Sequence, residues 1–207
     1  MSRGLFITLE GCEGSGKSSQ AKMLAARLKQ EGYDAVLTRE PGGTPLGEAV
    51  SKILKWSTPG SINPIAELLL FNASRAQLVT DIINPALNTG QIVICDRYTD
   101  SSLVYQGLGR GLSPEIIQHM NDIAIQGLTP DLTILLDIPV ETGRERKRHD
   151  TADRFEQESL DFHCRVRDAY LKLAEEEPQR WRIVKADAPK QTISEAIWLH
   201  VKGMLGA

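Results

Sequence analysis

The segment at residues 11–18, with the sequence GCEGSGKS, places the strongest constraint on how this chain folds. It matches the pattern G-x-x-x-x-G-K-[ST] at every fixed position. An apolar run at residues 5–9 precedes it, and a helical pattern from Lys17 to about Glu31 follows it. Glycines let the backbone curl so that successive N–H groups face one point, and the free N–H groups of the next helix add to them. The segment therefore predicts a phosphate-binding loop, with Lys17 reaching the outer phosphates and Ser18 offering its hydroxyl to Mg²⁺. A glycine-rich turn without a ligand is the alternative, and the agreement of strand, loop and helix disfavours it.

Apolar runs alternate with longer helical patterns along the chain. The runs predict five strands, at residues 5–9, 35–38, 92–95, 132–136 and 181–184. The intervening patterns predict helices at residues 17–31, 46–56, 63–87, 156–176 and 192–205, with another starting at Ser113-Pro114. Strands separated by helices are typical of an α/β fold with a parallel sheet buried on both faces. Without an internal repeat or a low-complexity linker, the simplest prediction is a single domain over residues 1–207.

The composition excludes several functional classes. A net charge of −3, with 25% charged residues, does not indicate a general binder of nucleic acid or of membrane surfaces. The three cysteines are scattered and form no CxxC pair, which argues against a disulfide framework or a zinc site. No run approaches the roughly 18 apolar residues that a membrane span requires. We expect a soluble cytoplasmic protein.

Two aspartates follow buried strands directly. Asp96 comes after the run at residues 92–95, at the carboxyl end of a strand, where open α/β sheets place ligands. Its carboxylate can hold Mg²⁺ directly or through water, and the adjacent Arg97 can pair with phosphate. The alternative for Asp96 is an ordinary salt bridge at the strand end. For Asp137, which follows the run at residues 132–136, we expect a structural or capping role.

A basic segment predicts a mobile lid at about residues 141–155. It contains Arg144, Arg146, Lys147, Arg148 and Arg154. Phosphoryl transfer spreads negative charge over oxygens that leave water, and mobile arginines are suited to stabilising that charge. A solvated helix face is the alternative, and the nearby phosphate loop favours the lid.

Phe71 and Arg75 share one face of a predicted helix because they are four residues apart. An aromatic ring can stack on a nucleobase, and a guanidinium can donate to a base carbonyl. The same spacing also fits a core phenylalanine beside a surface arginine, and composition alone favours that alternative.

Taken together, these residues resemble the thymidylate kinase family over essentially the whole chain. The matching pieces are residues 11–18, Arg39-Glu40-Pro41-Gly42-Gly43-Thr44, Phe71 with Arg75, Asp96-Arg97-Tyr98, Tyr105-Gln106-Gly107 and Asp153-Arg154-Phe155-Glu156. The phosphate loop is shared by many functions, whereas the 39–44 and 96–98 pieces are far more specific. The resemblance implies a P-loop kinase fold with a five-stranded parallel sheet, ATP-dependent conversion of dTMP to dTDP with Mg²⁺, and a homodimer.

The resemblance also implies roles for individual residues. Phe71 would stack on thymine, Arg75 would contact its carbonyl edge, and Gln106 would bond the base. Tyr105 would crowd the sugar and disfavour a 2′-hydroxyl, while Glu13 would lie near the 3′-hydroxyl. The full set expected at dTMP is Glu13, Arg39, Phe71, Arg75, Arg97, Ser102, Tyr105 and Gln106, with Arg39 and Arg97 on its phosphate. The set expected at ATP is Gly11, Cys12, Glu13, Gly14, Ser15, Gly16, Lys17, Ser18, Ser19, Arg144 and Arg148.

The expected catalytic residues are Lys17, Asp96, Arg97 and Arg154, with Ser18 and Asp96 at the metal. One arrangement in the family carries a catalytic arginine inside the phosphate loop, and this loop has none. The basic groups lie in the lid instead, which resembles the bacterial arrangement. Arg154 is the first choice for the arginine on the transferred phosphoryl group.

Two other functions remain open at the level of sequence. One is a related P-loop kinase for another small acceptor, against which the 71/75 and 105/106 pairs argue. The other is a GTPase-like switch, which usually carries an Asn-Lys-x-Asp motif that this sequence lacks.

Overall fold

The fold is built on five parallel strands in one sheet, with the strand order β2-β3-β1-β4-β5. The computed structural model describes residues 3–58, 60–148 and 151–205. The strands are β1 (Phe6–Glu10), β2 (Ala35–Arg39), β3 (Ile92–Asp96), β4 (Leu132–Asp137) and β5 (Trp181–Lys185). Because β1 lies between β3 and β4, the loop after β1 emerges at the centre of the sheet edge where parallel strands place ligands.

Helices cover both faces of the sheet. They are α1 (Lys17–Gln30), α2 (Pro45–Trp56), α3 (Pro64–Leu78), α4 (Asn84–Asn88), α5 (Thr99–Ser102), α6 (Pro114–Ile125), α7 (Val140–Lys147), α8 (Leu160–Glu176) and α9 (Lys190–Leu205). Successive side chains of β1 alternate between two cores: Ile7 and Leu9 pack with α1 and α9, whereas Phe6 packs with Leu87 and Tyr98. Within the described ranges, every helix is too short or too polar to cross a bilayer.

Each strand extends one residue beyond its predicted apolar run. Glu10 still pairs in register with Leu135, and Asp96 with Leu9. Hydrophobicity therefore marks the buried part of these strands, but the backbone ladder continues to the polar residue that follows. This extension brings both carboxylates to the ligand-binding edge.

The predicted continuous helix over residues 63–87 is wrong in its middle. A π-helical segment, Val79–Ile83, separates α3 from α4. Pro85 lacks an N–H to donate to Asp81, and its ring crowds that carbonyl, so the regular α-helical pattern cannot continue there. A second π-helical segment, Leu103–Gly109, follows α5 in a region for which the sequence predicted no helix.

The helix predicted to begin at Glu156 begins at Leu160 instead. Ser159 caps it by accepting a hydrogen bond from the N–H of Phe162. The carboxylate of Asp153 accepts from the N–H groups of two following residues, which holds the preceding segment in turns.

Candidate active site

The phosphate loop lies between β1 and α1 and depends on glycine conformations. Gly14 and Gly16 have positive φ values of 73° and 94°, which residues with a Cβ rarely adopt. Nζ of Lys17 donates to the carbonyl oxygens of Gly11 (2.9 Å) and Cys12 (2.8 Å). Burial and the neighbouring Arg97 lower the pKa of Lys17 from its usual value. The loop thus carries a buried ammonium group at its centre.

A cavity of about 610 Å³ opens beside this loop and gathers most of the predicted site residues. Those that line it are Glu13, Gly14, Gly16, Lys17, Ser18, Ser19, Arg39, Phe71, Asp96, Arg97, Ser102, Tyr105 and Gln106. Residues predicted for the donor and for the acceptor therefore face one common space, as a direct transfer between two bound molecules requires.

Ser18 and Asp96 form a pair of oxygen donors at the loop. The hydroxyl of Ser18 donates to the carboxylate of Asp96, and both residues line the cavity. Hydroxyl and carboxylate oxygens are ligands that Mg²⁺ accepts. In the described part of the chain, no group of three or more His, Cys, Asp or Glu residues could hold a metal by itself. A divalent ion here would take its remaining ligands from phosphates and water, which is how Mg²⁺ is usually bound.

Arg97 is held by four side chains despite a left-handed backbone conformation, with φ of 73°. Its Nη2 donates to Glu13 (2.5 Å) and to the hydroxyl of Tyr105 (3.2 Å). Its Nη1 donates to the hydroxyls of Ser101 (3.2 Å) and Tyr170 (3.1 Å). These four hydrogen bonds fix the guanidinium at the cavity wall and offset the cost of the strained backbone.

Glu13 is the carboxylate that balances the two central cations. Burial would raise its pKa, but attraction to Arg97 and Lys17 and a hydrogen bond from Tyr105 outweigh burial and lower the pKa to about 2. Glu13 is therefore ionised throughout the physiological range.

Glu10 lies beneath Arg97 as a fully buried carboxyl group. It accepts from the N–H of Tyr98 (2.8 Å) and from the hydroxyls of Ser101 (2.7 Å) and Tyr170 (2.8 Å). Burial, reinforced by nearby Asp100, raises the pKa of Glu10 to about 7. Glu10 thus anchors the backbone beside Arg97 and two of the hydroxyls that hold its guanidinium.

This raised pKa predicts that folding stability falls with pH. The folded pKa of Glu10, about 7, exceeds the ordinary value of 4.5, so the folded state binds the proton more tightly. The stabilising contribution is complete below pH 4.5 and is lost as the pH rises through 7, by about 3 kcal/mol in total.

Glu10→Gln removes the titration and leaves the shape of the side chain nearly unchanged. We expect the difference in unfolding free energy between wild type and Glu10→Gln, measured with urea, to change by about 2–3 kcal/mol between pH 5 and pH 8. A difference that stays constant over this range would contradict the assignment.

Three residues expected at dTMP line the cavity in different ways. Arg39 is paired with Glu48 through Nη2 (2.6 Å to Oε2) and donates from Nη1 to the carbonyl of Pro41 (2.7 Å). The ring of Phe71 is half-buried, with its centroid 5.9 Å from that of Phe155. Ser102 is buried and accepts from Arg75 at 3.0 Å.

The structure does not bring Arg75 itself to the cavity wall. The side chain is buried, and it donates from Nε to Glu40 (2.8 Å) and from Nη1 to Asn121 (2.6 Å). Its Nη2 donates to Ser102 and to the carbonyl of Tyr98. Arg75 therefore contacts Ser102 by this hydrogen bond and does not itself line the cavity.

Arg154 also lies away from the phosphate loop. Its side chain is 3% exposed; Nη2 lies 2.7 Å from Oε2 of Glu67, and Nε donates to the carbonyl of Leu54 (2.9 Å). Arg144 and Arg148 are exposed and do not line the cavity.

Arg146 and Lys147 line the cavity instead, although the sequence had not singled them out within the basic segment. Arg146 donates from Nη1 to the carbonyl of Gly14 (3.4 Å) and from Nη2 to that of Ala186 (3.0 Å). Lys147 pairs with Glu156 at 2.9 Å. The sequence signal available for Arg146 was helical spacing. Arg146 lies three residues after Gly143, so the two residues share one face of helix α7.

Helix α7 packs directly on the backbone of the phosphate loop. A Cβ atom placed on Gly14 would overlap the carbonyl of Gly143, and one placed on Gly143 would lie 2.5 Å from the carbonyl oxygen of Glu13. Two glycines therefore permit the closest approach between the two elements.

Asp137 has the structural role predicted for it. Its carboxylate pairs with Arg167 (2.7 Å) and Lys185 (2.8 Å), and it does not line the cavity.

Transfer of a phosphoryl group between two small molecules needs a turn for the donor's phosphates and cations for the acceptor's phosphate. This chain presents both to one cavity, at the edge of a five-stranded parallel sheet where such turns bind phosphate. The fold and site are those of a P-loop kinase that acts on nucleoside monophosphates. The sequence profile of the thymidylate kinase family matches residues 9–197. The chain belongs to that family, as its sequence motifs predicted, and its activity is that of an ATP-dependent thymidylate kinase.

Individual relatives support this assignment over nearly the full length. The thymidylate kinase of Thermomicrobium roseum is 51% identical over 199 residues, which cover 95% of this chain and 93% of that protein. The thymidylate kinase of Halothermothrix orenii is 49% identical over 208 aligned positions, covering 98% and 99%. The crystal structure of thymidylate kinase from Ehrlichia chaffeensis superposes with a TM-score of 0.81 at 31% identity, covering 96% of this chain and 99% of that one. The predicted P-loop kinase fold is thereby confirmed.

Proposed function

We propose that the chain transfers the γ-phosphoryl group of ATP in line to a phosphate oxygen of dTMP within the cavity described above, giving dTDP and ADP. The observation that carries the proposal is the common cavity, which the phosphate loop, the paired Arg97 and Phe71 all line. The acceptor phosphate is already largely ionised at neutral pH, so a strong general base is not required. Positioning and charge neutralisation account for the catalysis.

On the donor side, the N–H groups of residues 11–19 surround the ATP phosphates, and Lys17 turns from the loop carbonyls to the outer phosphates. Ser18 and Asp96 would hold Mg²⁺, with Asp96 acting directly or through water, and the ion would supply positive charge to offset that of the phosphates.

On the acceptor side, Arg39 and Arg97 hold the dTMP phosphate, and Phe71 stacks on thymine. Tyr105 crowds the sugar, and Glu13 lies near its 3′-hydroxyl. Ser102 and Gln106 face the base edge, and Arg75 acts on it through Ser102. The support for these roles is that all of these residues except Arg75 line the cavity.

The direct test is a coupled assay of ADP release with ATP and Mg²⁺, with and without dTMP. We expect release to depend on dTMP, and other nucleoside monophosphates in the same assay to be poorer acceptors. ADP release that is independent of any acceptor would contradict the proposal.

A separate prediction concerns the arginines of the basic segment. Arg146 contacts the phosphate loop in this structure, whereas Arg154 reaches ATP only if it leaves Glu67. We expect Arg146→Met to lower kcat/KM for ATP about tenfold, because one charged contact to phosphate is lost. Arg144→Met and Arg148→Met, measured in parallel, compare the two exposed arginines of the same segment. A larger loss in a folded Arg154→Met protein than in Arg146→Met would assign the main role to Arg154, as the sequence had suggested.

A homodimer is proposed as the assembled form. Exposed apolar side chains lie on the neighbouring helices α2, α3 and α6; they are Leu46, Ile53, Trp56, Ile65, Leu69, Ile116 and Ile123. Large exposed apolar areas usually mark protein interfaces. Sedimentation at micromolar concentration should give the mass of two chains, and the mass of one would contradict this assembly.

The cytoplasm is the proposed compartment. Cys12, Cys95 and Cys164 are all free thiols, and the first two are buried. Free thiols without disulfides are typical of reducing compartments. Recovery of the native protein from an oxidising compartment would contradict the proposal.

A further inference from the structure

The side-chain amide of Gln106 is held in one orientation by a buried carboxylate. Nε2 of Gln106 donates to Oε1 of Glu67 at 2.8 Å, and each residue is 1% exposed. A carboxylate only accepts hydrogen bonds, so the amide nitrogen must face Glu67. The carbonyl oxygen is then the group that Gln106 can offer to the cavity that it lines.

The second oxygen of Glu67 takes part in an ion pair. Oε2 lies 2.7 Å from Nη2 of Arg154, with both side chains almost fully buried. Arg110 adds a longer contact, with Nε 3.4 Å from Oε1. One oxygen of Glu67 therefore faces Arg154 in an ion pair, and the other accepts the hydrogen bond from Gln106.

We propose that Glu67 is a specificity-determining positioning residue, which keeps the carbonyl oxygen of Gln106 turned toward the nucleobase of the acceptor. A site built this way accepts a hydrogen bond from a ring N–H and repels a ring nitrogen that carries a lone pair. Thymine has one donor on its pairing edge, N3–H, whereas N3 of cytosine is an acceptor. Glu67, which does not line the cavity, therefore favours thymine over cytosine through Gln106. This inference rests on the proposed place of the base beside Gln106.

Glu67→Gln tests the proposal because the new amide can accept at only one of its two ends. Nη2 of Arg154, at 2.7 Å, is nearer than Nε of Arg110, at 3.4 Å, so we expect the carbonyl of the new side chain to turn to Arg154 and its NH₂ group to turn to Gln106. Gln106 then reverses, accepts from that NH₂ group and presents its own NH₂ to the base. We expect the ratio of kcat/KM for dTMP to that for dCMP to fall at least about tenfold, since one hydrogen bond is exchanged for a mismatch.

Both values of kcat/KM in this ratio are measured on the same variant. A loss of folded protein or of phosphoryl transfer lowers both values equally and therefore cancels from the ratio. A second variant, Glu67→Met with Arg154→Met, replaces the buried ion pair by apolar groups, which is often tolerated by the fold. This double variant leaves the Gln106 amide free to reverse. We therefore expect its ratio of kcat/KM for dTMP to that for dCMP to be intermediate between the wild-type and Glu67→Gln values. In a Gln106→Met background, substitution of Glu67 should leave the ratio unchanged.

The outcomes separate this inference from the function itself. Wild-type protein without dTMP-dependent turnover would contradict the proposed function. Wild-type turnover with an unchanged ratio in the folded Glu67 variants would overturn the role of Glu67. A fall in the ratio that persists in the Gln106→Met background would also overturn it, because Glu67 would then act by another route.

Discussion

Lys17→Met is expected to lower kcat/KM for ATP about 10³-fold or more while leaving the sheet and helices in place. The ammonium group lies among the loop carbonyls of Gly11 and Cys12, close to where the outer phosphates of ATP would bind. Methionine has a similar length but no charge, so it cannot stabilise the charge that spreads over the transferred group. Steady-state kinetics with varied ATP, together with circular dichroism of both proteins, measures the effect.

The matched control is Lys22→Met, which removes an exposed lysine from the same helix, α1. It changes the net charge equally and should leave kcat/KM within about twofold of wild type, because an exposed charge is screened by solvent and salt. Equal losses in the two variants would mean that Lys17 acts only through the overall charge of the protein.

Arg97→Lys is expected to lower kcat/KM for dTMP about 10²-fold or more, with a much smaller effect on the KM for ATP. Arg97 donates to four side chains at once, which orients the planar guanidinium at the cavity wall. Lysine keeps the charge but cannot reproduce that geometry, and a misplaced acceptor phosphate loses alignment with the donor. The measurement is a dTMP titration at saturating ATP, paired with an ATP titration at saturating dTMP.

The same substitution at Arg165, an exposed arginine of α8, provides the control and should leave both constants unchanged. If Arg97→Lys instead impaired ATP binding and left dTMP untouched, Arg97 would belong to the donor site, and the assignment of the acceptor phosphate would be wrong.

The local structure around the phosphate loop was predicted from the sequence. The phosphate loop, the strand before it and the helix after it are consecutive, and glycine conformations determine the turn between them. Asp96 and Arg97 were found for a related reason, because the end of a buried parallel strand is a fixed place in this kind of sheet.

Interactions between distant segments could not be predicted from the sequence alone. The pairing of Arg154 with Glu67 joins residues 87 positions apart, and no periodic pattern indicates it. Arg75 likewise matched a motif, but its hydrogen-bond partners in three separate segments, at residues 40, 98–102 and 121, determine where its donors point. A charge run shows that cations are present, whereas the packing of α7 on the loop determines that Arg146 contacts it.

The backbone contact between Gly14 and Gly143 links nucleotide affinity to the coverage of the reacting phosphates, two properties that would otherwise vary separately. With no side chain between the turn and the basic helix, the smallest possible enlargement, a single methyl group at either position, would separate them. That separation would displace the loop amides proposed to bind the donor and would withdraw the guanidinium of Arg146 in the same step. Nucleotide affinity and coverage of the reacting phosphates are therefore expected to be lost together at these two positions.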